Sequence, residues 1–211
     1  GPHYPPINIL RISTEGIQKL LLILNPSKAS GPDSVSCRVL KETAAELAPI
    51  LKAIFDHSLS TGNLPADWLK ADITPIYKKG ARSQAANYRP VSLTSVTCKI
   101  LEHIICKHIR LHLDKNKILS KFQHGFRHAH SCETQLLVTL YNIMRYRDTN
   151  LQTDIAILDF SKAFDTVPHN RLLGKLEYYG ITGDIHTWIS SFLKTRTQCV
   201  MIDGIKSDSV D

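Results

Sequence analysis

Apolar side chains along this chain recur mostly at helical spacing, broken by short stretches where the period drops to that of a strand. Tyr4 to Ile12 is Pro-rich and reads as an extended arm, with Gly1-Pro2 set aside as a tag remnant. Ser13 and Thr14 are cap residues in front of Ile17, Leu20, Leu21 and Leu24, which predicts a short amphipathic helix ended by Asn25-Pro26. Lys28-Ala-Ser-Gly-Pro-Asp-Ser34 is a loop of turn formers. Leu40, Leu47, Leu51, Ile54, Phe55 and Leu59 then mark a helical face up to Gly62, and Pro49 predicts a break or the first turn of a second helix.

The period changes between Trp68 and Tyr77. Ile73-Thr-Pro-Ile-Tyr77 reads as a strand that Pro75 puts near a sheet edge. Lys78-Lys79-Gly80 turns the chain, and residues 81–90 form a polar loop. A second short strand follows, or a direct entry into a long helix from about Thr94 to Leu113. Val96, Ile100, Leu101, Ile104, Ile105 and Ile109 bury one face of that helix and leave Lys99, His103, Lys107 and Arg110 on the others. Ser131 caps a helix carrying Leu136, Leu137, Leu140, Ile143 and Met144, and 148–153 reads as a linker.

Asp154-Ile-Ala-Ile-Leu-Asp-Phe160 is apolar on both faces, the pattern of a buried central strand. Helices are predicted near 168–179, with Gly180 as C-terminal cap, and 184–194. Gln198 to Ile202, the turn Asp203-Gly204 and Ile205 onward predict a hairpin. The order αα, ββ, αα, β, αα, ββ is mixed α+β, with two clusters of strands that can belong to two lobes.

Composition narrows the class. With 211 residues at 43% hydrophobic, the chain can bury a core, which excludes disorder as its main state. The run Leu20 to Leu24 is far too short to span a bilayer, and the N-terminus lacks the pattern of a signal peptide, so a soluble intracellular protein without a membrane partner is expected. The net charge of +7 is uneven. Residues 61–150 carry fourteen Lys/Arg against six acids, whereas 151–211 carry six against eight. A basic middle is the footprint of a polyanion partner or else a solvated face. Five Cys without paired spacing indicate no disulfide framework, and His103, Cys106, His108 and His112 lack the second ligand pair of a zinc site.

The chemistry concentrates near Asp159. An ionised carboxylate ending so apolar a strand must face a cation, a metal or a cleft. Asp165 lies six residues on. Two such carboxylates present hard oxygen ligands to Mg²⁺, or Asp159 pairs with a basic residue while Asp165 caps the helix beginning near Pro168.

Leu158-Asp-Phe-Ser-Lys-Ala-Phe-Asp-Thr-Val167 resembles the first palm motif of reverse transcriptases of the non-LTR (LINE-type) retrotransposon family. Lys28-Ala-Ser-Gly-Pro-Asp33, Ile73-Thr-Pro-Ile-Tyr-Lys-Lys-Gly80, Asn87-Tyr-Arg-Pro-Val-Ser-Leu93 and Gln123-His-Gly-Phe-Arg127 resemble the family's upstream blocks, in its order. The resemblance implies an RNA-directed DNA polymerase, a nucleotidyltransferase working with two Mg²⁺ ions (Mn²⁺ in their place) on an RNA template, a DNA primer and dNTP, in the cytoplasm and nucleus. It implies the fold of a right-hand polymerase: a fingers subdomain over 13–150 and an incomplete palm over 151–211, helices packed on antiparallel strands, preceded by the arm 1–12.

By the same resemblance, Asp159 is the first catalytic carboxylate and the Phe160 carbonyl its companion metal ligand. Phe164 is the steric gate against a ribose 2′-hydroxyl, or else a core ring, with Ala163 and Asp165 beside it at the dNTP. Arg89 and one of the pair Lys78 and Lys79 hold the triphosphate, or Lys78-Lys79 is a solvated turn. Lys70, Gln123 and Arg127 border the template. Relatives continue into a Pro-Gln-Gly block and then an Ala-Asp-Asp block, whereas this sequence contains no Asp-Asp pair. The expectation is therefore a fragment inactive alone, with an open palm edge that invites self-association or a partner chain. The competing reading is a non-catalytic module for nucleic-acid binding or protein assembly.

Overall fold

A computed structural model describes residues 3–194 and 196–210, and Gly1-Pro2, expected to be a tag remnant, lies outside them. Among the described residues the chain forms seven helices and four strands, a mixed α/β architecture divided into two units. The first comprises 1–112 and 169–211, the second 113–168.

In the first unit, α1 (Thr14–Leu22) starts where the Ser13 hydroxyl accepts the Gly16 N–H at 3.0 Å. α2 (Cys37–Glu42) and α3 (Ala44–Thr61) are separated at Thr43, whose hydroxyl and N–H both bond the Val39 carbonyl. The break therefore falls at Thr43, and Pro49 sits inside α3, giving up one helical hydrogen bond. α1 packs on α3, α3 on α7 (Gly183–Lys194), and α7 on α6 (His169–Tyr178). Ile17, Leu21, Phe55 and Trp188 form the centre of this core. Its polar atoms are satisfied internally: Trp188 Nε1 donates to the Ser58 hydroxyl at 3.0 Å, and that hydroxyl donates to the Asn63 carbonyl at 2.6 Å.

The arm is docked. Its Ile7 N–H donates to the Gly180 carbonyl at 2.7 Å, and His108 Nε2 lies 2.7 Å from the Asn8 carbonyl. His112 Nε2 likewise meets the Tyr179 carbonyl at 2.7 Å, so these two histidines are engaged with backbone. The Lys28–Ser34 loop lies so close to the entry of α4 (Val96–Lys115) that a Cβ on Gly31 would stand 2.5 Å from the Thr94 carbonyl carbon.

Both predicted strand clusters join one sheet, in the order β2-β1-β3-β4. β1 (Lys70–Tyr77) pairs antiparallel with β2 (Tyr88–Leu93) and parallel with β3 (Thr197–Ile202), which pairs antiparallel with β4 (Ile205–Lys206). The sheet is therefore mixed rather than antiparallel, because β1 and β3 are joined by a connection long enough for a parallel pairing. Pro75 faces Pro90, and β3 accompanies β1 only as far as Ile73, so Pro75 does lie on an open edge. Asp203 (φ 50°) and Gly204 (φ 81°) make the predicted two-residue turn.

In the second unit, α5 (Cys132–Asp148) starts at Ser131 in a capping box with Thr134. The unit contains no buried residue. Leu136, Leu137, Leu140 and Met144 lie on the predicted helix and are exposed. The prediction of a buried central strand over Asp154–Phe160 is overturned: residues 151–160 have no regular structure and all are exposed. A strand apolar on both faces needs neighbours on both edges and cover on both faces. Among the described residues, the segment has neither.

Candidate functional site

The candidate residues divide between the units, with Lys70, Lys78, Lys79 and Arg89 in the first and the others in the second. In the first unit, β1 and β2 present a loop fixed by its own hydrogen bonds. The Lys78 N–H donates to the Asn87 carbonyl at 2.9 Å, and the Tyr77 and Tyr88 hydroxyls donate to the Gly80 and Arg82 carbonyls at 2.6 and 2.9 Å. The two tyrosine rings meet edge to face at 5.7 Å. Arg82, which sequence reasoning missed, stacks its guanidinium 5.0 Å from the Tyr77 centroid. Gly80 takes φ 90°, a conformation that strains any L side chain, and a Cβ there would also stand 2.6 Å from the Asn87 amide nitrogen.

On this frame Lys78, Lys79 and Arg89 are exposed, and none enters an ion pair among the described residues. No Asp or Glu occurs between Ile73 and Leu101, so nothing in this sequence stretch neutralises them. The hairpin is a rigid mount for cations. Lys70 differs, since its ammonium already lies 3.3 Å from Asp67 in an exposed pair of little energetic weight.

Sequence reasoning also missed Asp72, a buried carboxylate in β1 that is 7% exposed. Lys206 Nζ on β4 donates to its two oxygens at 2.9 and 2.8 Å, and the Cys199 thiol to one of them at 3.1 Å. Burial alone would push the Asp72 carboxyl up, but these hydrogen bonds and the Lys206 charge outweigh it and hold it below its usual value.

In the second unit the Gln123–Arg127 block and the Asp159–Asp165 segment come together. The Phe126 and Phe164 rings meet edge to face at 6.1 Å and 85°. Phe126 (φ 61°) and Lys162 (φ 50°) both adopt the left-handed conformation, and the Lys162 carbonyl accepts the N–H groups of Asp165 and Thr166 at 3.0 and 3.2 Å. That tight turn fixes Ala163, Phe164 and Asp165 as one piece. Phe164 is 78% exposed, so it is not a core ring.

Arg127 is committed within the unit, donating to the Ser120 carbonyl at 3.0 Å and to Asp114 at 3.3 Å. Gln123 Nε2 donates to the Gly125 carbonyl at 3.1 Å. Both side chains brace the loop that carries Phe126.

Asp159 and Phe160 are exposed, so the burial cost that would force Asp159 onto a cation does not arise. Its carboxylate makes no hydrogen bond or ion pair among the described residues. An open carboxylate next to an open backbone carbonyl suits Mg²⁺, which binds one or two carboxylates, substrate phosphates and water rather than an all-protein cage. No cluster of three His, Cys, Asp or Glu is arranged for metal binding among the described residues. No helix among them is long and apolar enough to cross a membrane.

The profile of the family described as reverse transcriptase (RNA-dependent DNA polymerase) matches residues 76–209. The chain is 30% identical over 208 residues to the RNA-directed DNA polymerase from mobile element jockey of Drosophila melanogaster, covering 98% of this chain and 23% of that protein. It is 28% identical over 204 residues to the probable RNA-directed DNA polymerase from transposon BS of the same species, covering 93% and 22%. It is 24% identical over 191 residues to the retrovirus-related Pol polyprotein from type-1 retrotransposable element R2 of Popillia japonica, covering 90% and 26%. The chain thus spans about a quarter of the length of these relatives.

Proposed function

Since the chain belongs to the reverse transcriptase (RNA-dependent DNA polymerase) family, we propose that it supplies the fingers, residues 13–150, and the first part of the palm, residues 151–211, of a LINE-type RNA-directed DNA polymerase. The single observation that carries the reading is the pairing of Phe126 with Phe164, which joins two family blocks, the second of which also carries the exposed Asp159.

In this reading the primer 3′-oxygen attacks the α-phosphorus of a dNTP laid against Ala163, Phe164 and Asp165, and pyrophosphate leaves. Lys78, Lys79 and Arg89 hold the triphosphate from the hairpin, Arg89 by bidentate contact. Phe164, held edge-on by Phe126, occupies the space a 2′-hydroxyl would need. Lys70 and Gln123 border the template, while Arg127 shapes the loop beside it. Asp159 and the Phe160 carbonyl would hold Mg²⁺, or Mn²⁺ in its place, which when bound offsets charge on the phosphates and lowers the pKa of the attacking hydroxyl. Such a protein works in the cytoplasm and nucleus.

Two-metal chemistry also needs carboxylates of the Asp-Asp type, and this sequence has none. A primer-extension assay therefore reads the proposal in two arms. This chain alone should incorporate no dNTP in Mg²⁺, while a longer protein that adds the Asp-Asp block should, and Asp159→Asn should abolish it. Incorporation by this chain alone, or by the longer Asp159→Asn variant, would overturn the assignment.

The exposed apolar segment 151–160 favours a second reading, a non-catalytic module that keeps the basic hairpin for nucleic acid or that segment for a partner chain. In that case the longer protein would bind primer-template without extending it.

A further inference from the structure

Outside the residues assigned above, the first unit carries a groove between α1 and α4. It consists of two adjoining hollows of about 390 and 360 Å³ that share Leu20, Ile23 and His103 in their walls. The floor is apolar, with Leu20, Ile100 and Ile104 partly or wholly buried beneath it. Ile23, 76% exposed, and Leu111, 60% exposed, stand in its walls with no cover among the described residues.

Charge distinguishes this groove from a merely uncovered apolar face. Arg11, Lys19 and Lys107 line one hollow, and Lys28 and Lys99 the other. No carboxylate lines either, and the acids of the two helices, Glu15, Glu102 and Asp114, are absent from their walls. None of the five cations is used in an ion pair among the described residues. An apolar floor rimmed by unpaired cations is complementary to one kind of ligand, apolar along a stripe and acidic along its flanks.

We infer that the α1–α4 groove docks an acidic amphipathic α-helix of a partner protein. Such a helix lays its apolar stripe onto Leu20, Ile100 and Ile104 and sets its Glu or Asp side chains against Lys19 on the α1 wall and against Lys99 and Lys107, two turns apart, on the α4 wall. The groove follows α4 from Val96 to Leu111, ~22 Å at the helical rise, which matches a ligand helix of about fifteen residues. Nucleic acid is the poorer occupant, because a phosphate backbone uses the cations but leaves the apolar floor wet.

The test titrates the full chain with a fluorescein-labelled peptide of about fifteen residues, stapled as a helix, with Leu at i, i+3, i+4 and i+7 spacing and Glu on the flanks. Saturable binding is expected. It should weaken at least ~10-fold in Lys19→Glu/Lys107→Glu, a change of about 1.4 kcal/mol. That variant should prefer a counterpart peptide with Lys in place of Glu. Ile104→Ala should also weaken binding. Lys19 and Lys107 are exposed, so the charge-reversed protein keeps its fold, as circular dichroism would verify. Equal binding of the Glu peptide and a scrambled peptide of the same composition would overturn the inference. So would displacement by a single-stranded RNA whose affinity is unchanged in Ile104→Ala, the mark of a plain polyanion surface.

Discussion

Asp72 and Lys206 are joined by two hydrogen bonds of 2.9 and 2.8 Å across a sequence separation of 134 residues, tying β4 to β1 over the top of β3. Asp72 is the buried member and Lys206 the half-exposed one, so the carboxylate depends on the pair more than the ammonium does. Its folded pKa is lowered from 3.8, which makes this a contribution present above that value and lost as the pH falls through the depressed one. The Lys206 pKa is raised from 10.5 by the Asp72 hydrogen bond, so its share is lost only as the pH rises past that raised value. Lys206→Met leaves a buried carboxylate without its cation. It should lower the melting temperature at neutral pH more than Asp72→Asn does, and the gap should close as Asp72 protonates in acid. Thermal melts of both variants from neutral pH down to about 3 would check this.

Phe126 and Phe164 give a second expectation, in a longer protein that adds the Asp-Asp block. Phe164→Val opens the space held against a 2′-hydroxyl and should cut the preference for dNTP over rNTP by about tenfold or more, equivalent to ~1.4 kcal/mol. Phe126→Leu removes only the ring that bears edge-on against Phe164, so it should move discrimination in the same direction by a smaller factor. Single-nucleotide incorporation with paired dNTP and rNTP would measure both. An effect of Phe126→Leu on overall rate without a change in discrimination would remove it from the gate.

Elements governed by local signals were legible in the sequence. Ser13 and Ser131 cap their helices through hydrogen bonds made three residues away, and Asp203-Gly204 turns the chain with two positive φ angles. What failed depends on distant partners. Nothing in the sequence singles out Asp72, because its cation lies on β4, and the parallel pairing of β1 with β3 leaves no mark in either segment. Residues 154–160 carry the strongest strand composition in the chain yet form none, since composition states what a segment can bury and not whether anything lies beside it. At the candidate site, the family motifs pointed to the residues. The engagement of Arg127 with Ser120 and Asp114, and the stacking of Arg82 on Tyr77, became visible only in three dimensions.

Gly31 offers a test of the loop Lys28–Ser34 as scaffold. A Cβ there would stand 2.5 to 2.6 Å from backbone atoms of Thr94 and Ser95, and backbone cannot rotate aside as a side chain can. Gly31→Ala should therefore force the loop off the start of α4 and destabilise the first unit by ~1–3 kcal/mol. Urea unfolding followed by tryptophan fluorescence reports on this directly, because Trp68 donates to the Thr97 hydroxyl on α4 at 3.0 Å.

The cations of the hairpin make the last expectation quantitative. Lys78, Lys79 and Arg89 project from a loop held by Tyr77, Tyr88 and Asn87, in a stretch of sequence without acids. In a longer protein that adds the Asp-Asp block, replacing all three with Ala leaves the triphosphate without these cations, so KM for dNTP should rise about tenfold or more, equivalent to ~1.4 kcal/mol. Affinity for primer-template should change much less. Lys70 already faces Asp67 and is placed at the template, so Lys70→Ala should leave KM for dNTP unchanged. Single-nucleotide incorporation over a dNTP series, beside fluorescence anisotropy with labelled primer-template, separates these cases. An unchanged KM in the triple variant would mean that the hairpin carries its charge to solvent alone, and the triphosphate role assigned to Lys78, Lys79 and Arg89 would fall with it.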